Sequence, residues 1–319
     1  MALGWRRVVG RRGAGAVEEA HTEREVVRTV EIVVDEQTCT RCGACVAVCT
    51  NSRVFELGET AAEVARPGEC WSCGHCVAVC PVDAIHHSAY PVDACPAVGD
   101  LPSYDELVMA LRERRSLRVL RDKPVPVETV RQLIDVSRWV PSASNAQVVD
   151  WIAIDDVARI DDLSAEVVQT LRRPVRLLQN RLLRPLLWLA LGKERVQQAV
   201  ESTDGFQRMV EARARGEDPI FHDAPVVLLA HVPKTARFGE QDAVYAAYNL
   251  MLAAERLGLG TCQIGYFNVA MERNAKLRRM VGTPSGREIK VVLTLGYPRV
   301  TFRRVLPRRR MALAWNPKE

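Results

Sequence analysis

The sequence has no long apolar run. Its longest aliphatic stretch, Leu186–Leu191 in RPLLWLALG, falls far short of the roughly 18 residues that cross a bilayer, so no membrane-spanning helix is expected. Aromatic residues make up only 6% of the chain. They are not interleaved with basic residues in the manner that stacks nucleic-acid bases, and no zinc-finger spacing occurs, so nucleic acid is not an expected partner. A strand–GxGxxG–helix unit is also missing. The Gly258 and Gly260 pair follows a helical pattern and reads as its C-terminal stop, not as a dinucleotide loop. Paired arginines occur at Arg6–Arg7 and Arg11–Arg12, but Gly13 to Glu19 supplies no apolar stretch behind them. A twin-arginine export signal is therefore not formed, and residues 1–28 read as a disordered basic leader.

What is present fits a soluble protein with two domains. The 319 residues are 48% apolar and 26% charged, enough for a sizeable core in at least one domain. Charge is unevenly spread. Nine acidic and three basic residues lie between Thr29 and Cys95, a balance of −6, so the rest of a chain of net +5 carries +11. An acidic module joined to a basic one suits electrostatic docking of the two, or of a partner.

Eight of the ten cysteines fall in two blocks, CTRCGACVAVCT and CWSCGHCVAVCP. Both have the form C-x2-C-x2-C-x3-C, and the shared CVAVC marks an internal duplication. Disulfide frameworks have irregular intervals, whereas metal ligands recur at short fixed ones. Zinc sites pair two C-x2-C knuckles for four ligands in all, and two complete four-cysteine runs leave no economical zinc assignment. The pattern resembles two-cluster ferredoxins, where the last cysteine of each run binds the other [4Fe–4S] cluster. That resemblance assigns Cys39, Cys42, Cys45 and Cys80 to one cluster, and Cys70, Cys73, Cys76 and Cys49 to the second. Gly43 and Gly74 sit where a side chain would crowd backbone amides. Pro81 follows Cys80, but Thr50 follows Cys49, a departure expected to loosen one turn. His75, His86 and His87 read as surface or supporting residues, since eight thiolates already suffice. Cys95 reads as a linker thiol. Iron-bound thiolates fit a reducing cytoplasm.

From Pro102 onward, helix-like and strand-like segments alternate, as in an α+β or α/β layer fold. Helical patterns cover SYDELVMALRERRS, VETVRQLIDVSRWV, QDAVYAAYNLMLAAERLG and MERNAKLRRMVG. Strand patterns cover DWIAIDD, APVVLLAHV and EIKVVLTLGYP. RRSLR (Arg114, Arg115, Ser116, Arg118) ends a helix and suits a phosphate, because guanidinium offers several donors in fixed geometry. PSASNAQ, Pro141 to Gln147, is a polar turn, and six arginines lie between Arg299 and Arg310.

In this order the segments resemble the nitroreductase family of flavoproteins. Arg114, Arg115, Ser116 and Arg118 match its opening signature, Pro141, Ser142, Asn145 and Gln147 its turn, Gly258 to Tyr266 its helix exit, and Leu295–Pro298 with Arg308–Arg310 its close. The resemblance implies an α+β fold binding FMN at the interface of a homodimer. Arg114 and Ser116 would hold the phosphate with arginines of the Arg308, Arg309 and Arg310 cluster, with Arg115 and Pro141 in the same site. Arg118 would lie by the N1/O2 edge of the flavin. Ser142, Ser144 and Asn145 would contact the ring from the other subunit, and the backbone at Gly265 would approach N5. Val148–Val149–Asp150–Trp151 departs from the Pro-Trp that many members carry after the glutamine. Residues 172–219 match no family signature and read as a helical lid or substrate-pocket insertion, broken at Pro174 and Pro185. Cys262 reads as a small buried residue.

The expected organisation is a leader (1–28), a 2[4Fe–4S] ferredoxin-like domain (29–95), a linker (96–101) and an FMN domain (102–319). The implied function is an FMN-dependent oxidoreductase, charged through its own clusters and reducing a nitroaromatic, quinone or enone. The electron donor would be a protein such as a ferredoxin. The alternatives are a redox sensor or carrier without turnover, and the same enzyme run in the oxidising direction.

Overall fold

The computed structural model describes residues 30–179, 184–194, 196–197 and 203–316. The leader and parts of the 172–219 segment lie outside the described residues. Contacts divide the chain into two compact units between Val98 and Gly99.

Unit one repeats a strand–helix–strand element. β1 (Ile32–Val34), α1 (Ala44–Val48) and β2 (Phe55–Leu57) recur as β3 (Ala62–Val64), α2 (His75–Val79) and β4 (Ile85–His87). The strands pair across the repeat, β1 with β4 and β2 with β3, both antiparallel. Each helix starts on a glycine in the left-handed region, Gly43 at φ 76° and Gly74 at φ 74°. A Cβ on Gly43 would meet nothing within 4 Å, so the glycine is required by conformation and not, as expected, by crowding. Val54, Phe55, Ala62, Val77 and Ile85 form the small core.

Unit two is a four-stranded antiparallel sheet between two helical layers. Its elements are α3 (Tyr104–Glu113), α4 (Val127–Ser137), β5 (Asp150–Ile154), α5 (Val157–Gln179), α6 (Arg184–Leu191), α7 (Thr203–Ala214), β6 (Val226–Pro233), α8 (Gly239–Arg256), β7 (Gly260–Gln263), α9 (Gly265–Arg273), α10 (Ala275–Val281) and β8 (Arg287–Gly296). The strand order is β5–β6–β8–β7. Alternation along β6 sends Val227 and Leu229 to one core with α5 and α9, and Val226, Leu228 and Ala230 to another with α4 and α8. Both sheet faces are therefore covered, which explains the continuous apolar runs in β6 and β8.

Two expectations change. The single helix read into MERNAKLRRMVG is two, because Asn274 leaves helical geometry and its side chain accepts the Lys276 N–H, capping α10. And α5 continues through Pro174 instead of breaking there. Its earlier half is anchored by Ile160, Leu163 and Val167 in the core, so this helix enters the 172–219 segment from the body of the fold. Pro185 falls inside α6.

Candidate functional site

In unit one, Cys39, Cys42, Cys45 and Cys80 line a single cavity together with Gly43 and Ala84. The fourth thiol comes from the other half of the repeat, because α2 ends at Cys80 beside the first loop. The second set is met from the other side. Burial raises the Cys70 thiol, with Cys73 and Cys49 as the thiols acting on it. Burial also raises Cys45, beside Cys39 and Cys42, and pushes Cys76 up to about 11, beside Cys70 and Cys73. Among the described residues no group of three or more His, Cys, Asp or Glu is placed to hold a single metal ion. The first set of thiols surrounds a cavity instead of converging on a point. An all-sulfur set around a cavity, with backbone N–H groups aimed at it, fits iron–sulfur groups.

Those N–H groups come in matched pairs. Arg41 and Ser72 donate to Cys39 and Cys70 at 3.4 and 3.3 Å. Val54 and Ala84 donate to Cys49 and Cys80 at 3.4 and 3.2 Å. The turn after Cys49 is one residue longer than that after Cys80, and this is where Thr50 replaces proline. Cys80, preceding Pro81, is extended at ψ 116°, whereas Cys49 sits at ψ 52°, away from the extended range that a following proline favours. His75 and His86 are exposed, but His87 is buried, with Nε2 3.7 Å from Cys70 Sγ. The period of two along β4 was the available signal for it. Cys95 is exposed.

In unit two, the segment after α3 runs extended along the edge strand β7. Ser116 bridges Thr261 in parallel, and the Leu117 N–H donates to the Thr261 carbonyl at 2.8 Å. Extended backbone alternates its side chains, and this separates the arginine cluster into two faces. Arg114, Ser116 and Arg118 act together on the buried Cys262, whose thiol is raised by burial and lowered in turn by Arg118, Ser116 and Arg114. Ser116 and Arg118 are exposed. Arg115 and Leu117 face the other way. The Arg115 N–H donates to Glu255 Oε1 at 2.9 Å, and its guanidinium donates to the carbonyls of Arg112, Arg114 and Arg304. Leu117 covers Gly260, where a Cβ would come within 2.2 Å of Leu117 Cδ2. A cavity of about 400 Å³ lies on this Arg115 face, between Glu255, Gly260 and the Phe302–Arg304 stretch. Ser116 and Arg118 lie on the opposite, open face, while Arg114 acts on both Cys262 and the cavity's Glu255.

Gly265 opens α9 with an exposed backbone, immediately after β7. Near Arg118 stands His222, which sequence reasoning passed over. Burial lowers its pKa first, with Asp218 raising it and Arg118 lowering it further. Its loop is held by the buried Asp218 carboxylate, which accepts from Ser164 Oγ and from the N–H groups of Ile220, Phe221 and Asp223.

The PSASNAQ turn carries backbone strain. Ser144, Asn145 and Gln147 have φ of 52°, 54° and 48°, a cluster that costs free energy and marks a constrained turn. Ser142 Oγ accepts the Gln147 N–H at 3.0 Å, and Asn249 in α8 anchors the preceding Trp139 carbonyl at 2.9 Å. Pro141 and Ser144 are exposed, and Ser142 and Asn145 half-buried. Trp151, where the sequence departs from the family pattern, lies in β5 and donates to Ser137 Oγ at 3.0 Å. Arg308, Arg309 and Arg310 are exposed in an irregular C-terminal segment. The basic, hydrogen-bonding group of Arg114, Ser116 and Arg118 fits an anionic flavin mononucleotide.

The sequence model of the nitroreductase family matches residues 111–297, and that of a 4Fe–4S dicluster domain matches residues 31–81. Among similar proteins, chloronitrobenzene nitroreductase of Comamonas testosteroni is 27% identical over 215 residues, covering 61% of this chain and 87% of that protein. The 4-nitrobenzoate reductase of a Nocardioides species is 26% identical over 222 residues, covering 66% and 87%. Of solved structures, a nitroreductase with bound FMN from Desulfitobacterium hafniense is 18% identical and covers 66% of this chain and all of that one, with a TM-score of 0.49.

Proposed function

Because the chain belongs to the nitroreductase family and carries a ferredoxin-like 4Fe–4S dicluster domain ahead of it, we propose that it is an FMN-dependent oxidoreductase reduced through two [4Fe–4S] centres of its own. Its substrate is a small organic electron acceptor. One observation carries this reading. A cavity walled by Cys39, Cys42, Cys45 and Cys80 and a basic group of Arg114, Ser116 and Arg118 occur in the same chain. Iron–sulfur centres supply single electrons, and FMN pairs them for reduction of a bound substrate.

The chain's own residues have separable tasks in this reading. Cys39, Cys42, Cys45 and Cys80 hold one centre, and Cys70, Cys73, Cys76 and Cys49 the other. Arg114 and Ser116 bind the FMN phosphate, joined by one or more of Arg308, Arg309 and Arg310. Arg118 would supply a cation at the N1/O2 edge, suited to an anionic reduced flavin. The backbone at Gly265, where α9 starts, would approach the N5 side. Arg115 serves indirectly, by fastening the segment to α8 and to the C-terminal stretch.

A homodimer completes the site. Val244, Tyr245 and Tyr248 expose an apolar strip on α8, which supports a subunit interface there. The Pro141–Asn145 turn would then present Ser142, Ser144 and Asn145 to the flavin of the partner subunit. Leu186, Trp188 and Leu189 of α6 are exposed and suit a lid over an apolar substrate. Nitroaromatic reductases among its relatives favour nitroaromatics over quinones and enones. A ferredoxin-type protein is the matching donor, and the cytoplasm the matching compartment for eight thiolates.

The test is anaerobic purification followed by iron, sulfide and flavin analysis. Eight irons and one FMN per chain are expected; zinc, or a flavin without iron, would refute the assignment.

A further inference from the structure

The two halves of unit one present their cysteines alike. Cys42 and Cys73 are exposed, Cys39, Cys49, Cys70 and Cys80 are half-buried, and Cys45 and Cys76 are each 8% exposed. The backbone N–H···S bonds also match pair by pair. Solvent exposure and amide bonding, two of the factors that set a cluster's potential, are therefore balanced between the halves.

Cys70 also accepts from the Ser72 side chain, and a further contact reaches it from β4. His87, the last residue of β4, places Nε2 3.7 Å from Cys70 Sγ. The corresponding last residue of β2 is Leu57, which is exposed and has no donor. The proton position on His87 follows from its other nitrogen. Nδ1 accepts the backbone N–H of Ala89 at 3.2 Å, so the ring hydrogen sits on Nε2 and the sulfur is the acceptor. The ring is held in place. It is 3% exposed and packs at 5.1 Å against Tyr90, whose hydroxyl donates to the Ser72 carbonyl at 2.6 Å. Ser72 in turn donates its N–H to the same Cys70 sulfur.

A donor aimed at a ligand sulfur stabilises the added negative charge of the reduced state more than the oxidised state. We propose that His87 is a positioning residue that makes the two centres unequal, raising the reduction potential of the Cys70, Cys73, Cys76 and Cys49 centre above that of its partner. The first electron delivered to the unit then rests on that centre. This rests on the two-centre reading above.

The experiment is an anaerobic redox titration of the full-length protein followed by electron paramagnetic resonance, with iron counted in each sample. His87→Asn keeps an acceptor for the Ala89 N–H but falls short of Cys70, whereas His87→Gln reaches the sulfur. In His87→Asn one of the two midpoint potentials falls and the other stays, and His87→Gln restores most of the shift. Two centres whose potentials both stay put, or move together, or respond alike to Asn and Gln, would overturn the role of His87 alone. A wild-type protein with fewer than two centres would overturn the reading beneath it instead. Should His87→Asn lose iron, pulsed resonance on reduced wild type labelled with 15N-histidine decides the matter. Coupling from one histidine nitrogen is expected, and its absence would overturn the proposal.

Discussion

The backbone N–H of Leu117 donates to the carbonyl oxygen of Thr261 at 2.8 Å. That bond fixes the register of the Arg114–Arg118 segment on β7 and so decides which of its side chains share a face. The close approach depends on Gly260, since any Cβ there would overlap Leu117.

Gly260→Ala should therefore be costly despite its small size. Overpacking of this kind destabilises by about 1–3 kcal/mol, and the displaced segment carries Arg114, Ser116 and Arg118 with it. A lowered melting temperature together with FMN loss on gel filtration is expected. Unchanged FMN content would mean that the segment does not bind the flavin.

The two neighbouring arginines should behave differently. Arg114→Gln removes a charge-assisted bond to phosphate, worth roughly 1.5–3 kcal/mol, or about a ten- to hundredfold loss of FMN affinity. Arg115→Gln loses contacts to the Arg112, Arg114 and Arg304 carbonyls and should weaken FMN binding much less. Fluorescence titration of the apoprotein with FMN checks both. Equal losses would contradict the alternation of faces.

Acid should weaken unit two through His222. Its folded pKa lies below the ordinary 6.5 because of burial, so the unfolded chain binds the proton more readily. Stability is complete above about 6.5 and falls as pH drops from there toward the lower folded value. His222→Asn tolerates the φ of 59° at this position and should flatten the slope. Chemical denaturation between those pH values, wild type against variant, measures it.

Iron removal should unfold unit one while sparing unit two. Unit one consists of three-residue strands in two-stranded ribbons, which are marginal in water, so its folding is coupled to what its cysteines bind. Chelation under anaerobic conditions should abolish hydrogen-exchange protection from Val30 to Tyr90 and leave β6 and β8 protected. Full protection of both would contradict that coupling.

Much of this was legible in the sequence, and the exceptions have physical reasons. The two four-cysteine blocks and the duplicated CVAVC announced the repeat in unit one, and the alternating patterns announced β5, β6 and β8. Arg115 could not be separated from Arg114 by composition, because only the extended run along Thr261 turns adjacent side chains apart. The break at Asn274 was hidden by an unbroken helical pattern on both sides of a capping residue. Pro174 was expected to end a helix that the core contacts of Ile160 and Leu163 carry onward. His87 looked like one of three spare histidines until the β1–β4 register turned it inward opposite Ile32. Thr50 was noticed, but its meaning, a turn one residue longer with Cys49 outside the extended region, needed the backbone.

The central claim is that electrons reach FMN through the protein's own clusters. Its most direct test is anaerobic stopped-flow reduction of the flavin, by reduced ferredoxin and separately by NADH, in wild type and Cys73→Ser. Fast reduction by ferredoxin in wild type, slowed in Cys73→Ser with FMN still bound, is the predicted result. Reduction by NADH alone, equally fast in both proteins, would contradict it.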